Sequence, residues 1–125
     1  MRTLLCGTAE VAVDAKGRFA LPVRYRDALR ADRDGDCCLT RSVSEPCLWL
    51  YPGSEWERVA EQLSALPGLT DPLCRALQRR VLGGAVSCRP DSQGRLLLPP
   101  ELREAAGLEK RAFLIGFGNK LELWS

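Results

Sequence analysis

The stretch DAKGRFALP, Asp14–Pro22, returns later in the chain as DSQGRLLLP, Asp91–Pro99. The two align without a gap from Asp14–Leu29 to Asp91–Ala106, with Asp, Gly, Arg, Leu, Pro, Arg and Ala coinciding. Segments further downstream also correspond, CLWLYP from Cys47 with KLELWS from Lys120. The spacing is far longer than a solenoid repeat. It reads as an internal duplication within one domain of residues 1–125. The halves are about 7–52 and 84–124, joined by a helical segment at about 54–82. The expected fold class is α+β and rich in strands.

Each copy has the same physical logic. EVAVD alternates before the first phrase, as a half-buried strand does. Asp14 and Gly17 are turn residues, one bonding its own backbone and the other tolerating positive φ, so Asp14–Gly17 should be a hairpin turn. Asp91 and Gly94 take the same places in the second copy. RFALP returns as a strand with Phe19 and Leu21 on one face, which puts Arg18 on the other, beside the turn. RLLLP places Arg95 likewise. Pro22 and Pro99 cannot continue a central strand but can open a helix. Tyr25, Ala28 and Leu29 then follow at helical spacing. Each half should end in a hairpin, CCLTR with CLWLY and AFLIG with KLELW.

Between the halves, SEWE at Ser54–Glu57 has the spacing of a capping box. Trp56, Val59, Ala60 and Leu63 follow at i, i+3, i+4 and i+7. Asp71–Pro72 reads as an N-cap with proline at the first helical position. Leu73, Ala76, Leu77 and Val81 form the expected buried stripe, and Gly83-Gly84 the stop.

Composition sets limits. A chain of 125 residues suits one domain with a modest core. Its 18 bases and 16 acids leave a net charge of only +2. Most of the bases are arginine, whose flat fork of donors suits phosphate and guanine edges. No apolar run is long enough to cross a membrane, and the opening MRTLLCGTAEV lacks signal-peptide character. The expected location is the cytoplasm. Six cysteines without a C-x-x-C pair read as small packing residues, not as a zinc site. There is no histidine, nucleophile elbow or Walker loop. The chain therefore reads as a non-enzyme with no cofactor, no metal and no small-molecule substrate.

The duplicated turn is the strongest signal. Asp and Gly make a good turn regardless of function, but a tight turn does not require arginine at its exit, and both copies have one. Arg18 and Arg95, with Lys16 at the first tip, are the candidate DNA-binding residues. Gln93 replaces Lys16 in the second copy, so the two tips should not bind alike. Arg24, Arg26 and Arg30 on the first helix form a second basic cluster, readable as a solvated face or as DNA contacts. Arg79 and Arg80 also read as a solvated face, with subunit contacts and DNA contacts equal alternatives.

The motifs DAKGR…P.RYRDAL, CLWLYP..EWE, RALQRRVLGGA, D.QGRLLLPPELREAAGL and GFGNKLELW, in that order, resemble the MraZ family of bacterial transcriptional regulators, related to AbrB-type swapped-hairpin factors. The resemblance runs from Gly7 to Trp124. It implies an internally duplicated, AbrB-like swapped-hairpin β-barrel with flanking helices. It further implies a homo-oligomeric ring of about eight subunits. The partner would be double-stranded promoter DNA, bound at short repeats upstream of the division and cell-wall gene cluster. The implied role is repression, the implied location the cytoplasmic nucleoid. Lys16 and Arg18 inherit the DNA-binding role, and Arg95 less directly. The sequence departs from the family pattern in four ways: Cys6 stands where a basic residue is usual, a few residues precede the usual start, Gly84 stands where histidine is usual, and the chain stops at Ser125 where a charged tail is common. The rival reading is a protein-interaction or structural ring that has lost DNA recognition.

Overall fold

The computed structural model describes residues 4–125; Met1–Thr3, part of the stretch read above for signal-peptide character, lie outside the described residues. Eight strands and four helices follow in the order β1 (Thr8–Ala12), β2 (Arg18–Ala20), α1 (Val23–Arg33), β3 (Cys37–Arg41), β4 (Leu48–Pro52), α2 (Gly53–Ser64), α3 (Pro72–Leu77), β5 (Val86–Cys88), β6 (Arg95–Leu97), α4 (Pro100–Ala105), β7 (Arg111–Gly116) and β8 (Leu121–Trp124). The fold is α+β, as the alternating patterns predict.

The strand pairing crosses between the two ends of the chain. A six-stranded sheet runs β1-β7-β8-β4-β3-β5, and β2 pairs with β6 in a separate two-stranded ribbon. Exchanging β1 with β5, β2 with β6, β3 with β7 and β4 with β8 turns this order into itself read backwards. Among the described residues only β3–β4 and β7–β8 pair as sequence neighbours, and the other pairings join an early strand to a late one; the hairpin expected around Asp14–Gly17 is corrected, since β1 pairs with β7 and β2 with β6, leaving one isolated bridge between Val13 and Phe19. The six-stranded sheet ends in two edges, β1 and β5, so among the described residues no hydrogen-bonded ring of strands closes and the barrel expectation is corrected to an open sheet plus a ribbon.

The core lies between the sheet, the ribbon and helices α1 and α4. Phe19 and Leu96, directly opposed in the ribbon, are buried with Leu21, Tyr25, Leu29, Leu98, Leu114 and Leu123. Each such side chain contributes roughly 1.5–3 kcal/mol of burial. Tyr25 also donates a shared hydrogen bond to the carbonyls of Cys6 and Gly7, at 2.8 and 2.9 Å, which ties α1 to the segment entering β1.

The central helices depart from their sequence reading at two points. The capping box at SEWE does not form. Helix α2 starts at Gly53, whose N–H donates to Asp36 O at 2.9 Å. Ser54 gives both its backbone N–H and its hydroxyl to the Asp32 carboxylate of α1, while Glu57 pairs with Arg33 at 2.7 Å. The two polar residues join neighbouring helices, so they are not available to cap their own. The Asp71 cap does form: its carboxylate accepts from Leu73 and Cys74 N–H, with Pro72 opening α3. The expected stripe is rotated, however. Leu73 and Ala76 face solvent, and Val81 is fully buried. The helix widens into a π turn at Gln78–Leu82, which shifts its phase. Gln78 supplies a polar contact, its Nε2 donating to the carbonyls of Leu63 and Leu66.

Candidate nucleic-acid interface

The first turn is built on one carboxylate. Asp14 Oδ1 accepts from the N–H groups of Lys16 and Arg18, each at 2.9 Å, and Oδ2 accepts from Arg18 Nε at 3.1 Å. Gly17 donates to Asp14 O at 3.0 Å and sits at φ +83°, where a side chain would strain the backbone. The second turn repeats this. Asp91 Oδ1 accepts from Gln93 and Arg95 N–H at 2.9 Å, Oδ2 accepts from Arg95 Nε at 3.0 Å, and Gly94 sits at φ +76°. The Arg18 and Arg95 backbone N–H groups hold the two carboxyls below the ordinary carboxylate value, with the guanidinium bonds helping.

The arginines therefore have a local structural role that the sequence reading did not assign. Each ion pair uses Nε and leaves the two terminal amino groups outside that bond. A guanidinium gripped at Nε has its outer edge aimed and its rotamers restricted.

The ribbon register places these edges together. Arg18 opposes Leu97, Phe19 opposes Leu96 and Ala20 opposes Arg95. Alternation sends Phe19 and Leu96 to the core and leaves Arg18, Ala20, Arg95 and Leu97 on the outer face. Ala20 and Leu97 are exposed there, and both guanidinium side chains are 30 % exposed. The strands run antiparallel, so the arginines stand at opposite ends of this face. Their Cα atoms are about 8 Å apart, from two residues along and one strand across.

The other predicted residues sort differently. Arg26 reaches the opposite half, lying against Gly94 with Nη1 at 3.5 Å from Gln93 O. Arg103, its counterpart on α4, lies beside Gly17 and is held by bonds to the carbonyls of Leu108 and Glu109. Each helix thus sets an arginine beside the other half's turn. Arg24 stands apart: its guanidinium stacks over the Tyr25 ring at 4.4 Å and donates to the Tyr25 hydroxyl at 3.0 Å. Arg30 is exposed on α1. The reading of single residues missed Arg103 and Lys110, which line a groove with Lys16 and Gly17. Arg103 was findable, since it coincides with Arg26 in the gapless alignment.

Among the described residues no group of three His, Cys, Asp or Glu side chains is placed to hold a metal ion. No described helix is long and apolar enough to cross a membrane.

Comparison with known proteins supplies the family. The family model described as "MraZ protein, putative antitoxin-like" matches twice in succession, at residues 4–80 and 81–125. A protein of Shewanella frigidimarina named transcriptional regulator MraZ is 47% identical over 118 residues, 94% of this chain and 77% of that protein. Proteins of the same name from Thioalkalivibrio sulfidiphilus and Pseudomonas putida are 48% and 47% identical over 118 residues, covering 94% of this chain and 77% and 78% of theirs. With the family model matching nearly its whole length in two consecutive copies, the chain belongs to the MraZ family.

Proposed function

We propose that this protein is a DNA-binding transcriptional regulator, a repressor that docks the outer face of the β2–β6 ribbon on double-stranded promoter DNA. The observation that carries the reading is the pairing of Arg18 and Arg95 on one exposed face, each gripped at Nε and aimed by its own turn. A two-stranded ribbon fits the major groove, about 12 Å wide, and a guanidinium edge can bridge guanine O6 and N7 there. Lys16, Arg26 and Arg103 flank the face as phosphate contacts. The names of the relatives support regulation of transcription. The crossed pairing and the doubled family match support one body made of two repeated halves.

Binding to short repeats upstream of a division and cell-wall gene cluster, in the nucleoid, belongs to the same proposal. So does assembly into a ring of about eight copies, which would let several ribbons engage adjacent repeats. Leu69 is 95% exposed and Leu73 70%, and the α2 face with Trp56 is only half-buried, which favours contacts between copies. Two measurements test this. In mobility shift against the protein's own upstream region, wild type should bind in a salt-dependent manner and Arg18→Ala should not. In light scattering, the particle should be several times the monomer mass. A monomer at micromolar concentration would overturn the ring, and salt-insensitive or absent DNA binding would favour the protein-interaction ring instead.

A further inference from the structure

Among the described residues strand β5 is an edge strand with β3 as its sheet neighbour, and Cys37 of β3 stands directly opposite Cys88 of β5. Both are free thiols, with their sulfurs 3.1 Å apart. A disulfide needs about 2.05 Å, so closure asks for roughly 1 Å of sulfur movement between residues that the sheet already holds in register. Cys38 is excluded by alternation: it points to the other face of β3. Packing does not demand sulfur at these places. The alignment that pairs Asp14 with Asp91 pairs Val11 with Cys88, and the corresponding opposed pair in the other half is Val11 with Ala112.

We propose that Cys37 and Cys88 are a reversible oxidation site, closing to an intrachain disulfide when hydrogen peroxide reaches the edge of the sheet. Cys88 is half-buried, on the edge strand, whereas Cys37 is buried, so Cys88 reacts first. Its sulfur gives up its proton and attacks one peroxide oxygen; an S–O bond forms, the O–O bond breaks, and the leaving hydroxide takes up that proton as water. The hydrogen bond to Cys88 and burial push the Cys37 thiol up, which keeps it protonated until that step. Cys37 sulfur then attacks the sulfenic sulfur of Cys88. The S–O bond breaks, the departing hydroxyl takes the Cys37 proton, and water leaves. Two thiols lose two electrons in total, and one peroxide becomes two waters. The bond would fasten β5, which runs directly into the Asp91–Gly94 turn, and would close the loop containing α2 and α3.

The test is peptide mapping without reductant after treating the full chain with hydrogen peroxide. Trypsin should yield peptide 34–41 joined to peptide 81–95, and dithiothreitol should separate them. Cys38→Ala should keep the link, while Cys88→Ala and Cys37→Ala should lose it. Oxidised wild type should melt a few degrees above the reduced protein, a shift absent in Cys88→Ala. The proposal is overturned if the exposed Cys6 oxidises while the two peptides stay apart. It is also overturned if Cys37→Ala retains the link through Cys38, or if the joined peptides come from two different chains.

Discussion

The two turns share one skeleton and carry different charge. At both, an aspartate collects two backbone N–H groups and an arginine Nε, and a glycine takes a left-handed φ. Only the surroundings differ. The first has Lys16 at its tip, with Arg103 and Lys110 alongside Glu104 and Glu109 in the adjoining groove; the second has Gln93 at its tip, with Arg26 beside Gly94. Geometry is thus duplicated and electrostatics is not. The lesson is that Asp–Gly–Arg fixes the shape of the turn, whereas the charge at its tip is set independently by one residue, Lys16 in the first copy and Gln93 in the second.

The largest expected difference lies in the arginines. Arg18→Ala should abolish measurable specific DNA binding, because one guanine contact is worth roughly 1–3 kcal/mol and the loss repeats in every engaged subunit. The melting temperature should stay nearly unchanged, since Asp14 keeps its two backbone bonds. Arg95→Ala should weaken binding less. Equal losses in mobility shift would show the two turns to be equivalent. Undiminished binding by Arg18→Ala would move attention to Arg26, Arg103 and Arg30, and unfolding would make the arginine chiefly structural.

Next come the glycines. Gly17→Ala and Gly94→Ala should each cost about 1–2 kcal/mol in urea unfolding, the strain of a left-handed conformation. A Cβ at position 17 meets nothing closer than 3.5 Å, whereas one at 94 would approach Arg26 Nη1 at 2.3 Å. Gly94→Ala should therefore also displace Arg26 and be the more damaging of the two. Equal losses would mean that Arg26 moves aside without cost.

Exchanging the tips should give a smaller, graded effect. Lys16→Gln should lower affinity across all sequences and flatten the plot of log binding constant against log salt by about one unit. Gln93→Lys should steepen it by about the same. A change in base preference without a change in slope would reassign Lys16 from phosphate to base contact.

The smallest effect concerns pH. Asp14 and Asp91 have folded-state pKa values below the ordinary 3.8. The unfolded chain then binds more protons as pH drops, so their contribution is complete above the unfolded value and lost as pH falls through the folded one. Around neutral pH their contribution is full and does not vary with pH, and its loss begins below about pH 4. Asp14→Asn and Asp91→Asn should each flatten the acid limb of the stability curve, measured by urea titration at stepped pH. An unaltered limb would mean that neither carboxylate is preferentially ionised in the folded state.

Much of this was legible in the residues. The Asp14–Gly17 and Asp91–Gly94 turns, the inward Phe19 and Leu96, the terminal hairpins and the Asp71 cap follow from local rules, because side-chain alternation and turn chemistry act within a few residues. The capping box failed for the opposite reason: Ser54 and Glu57 found better partners in Asp32 and Arg33, some twenty residues away, and no local pattern encodes that competition. The α3 stripe failed because a π turn changed the helical period midway.

The sequence by itself determined the repeat, the two turns and the family, since these rest on residue identity at short spacing. The tertiary structure alone decided that early strands pair with late ones. That pairing seats Arg18 and Arg95 on one face, sets Arg26 and Arg103 beside each other's turns, and brings Cys37 and Cys88 into contact. Hydrogen-bond registry between distant strands is chosen by how the apolar faces bury against one another, a property of the whole chain that no single segment carries.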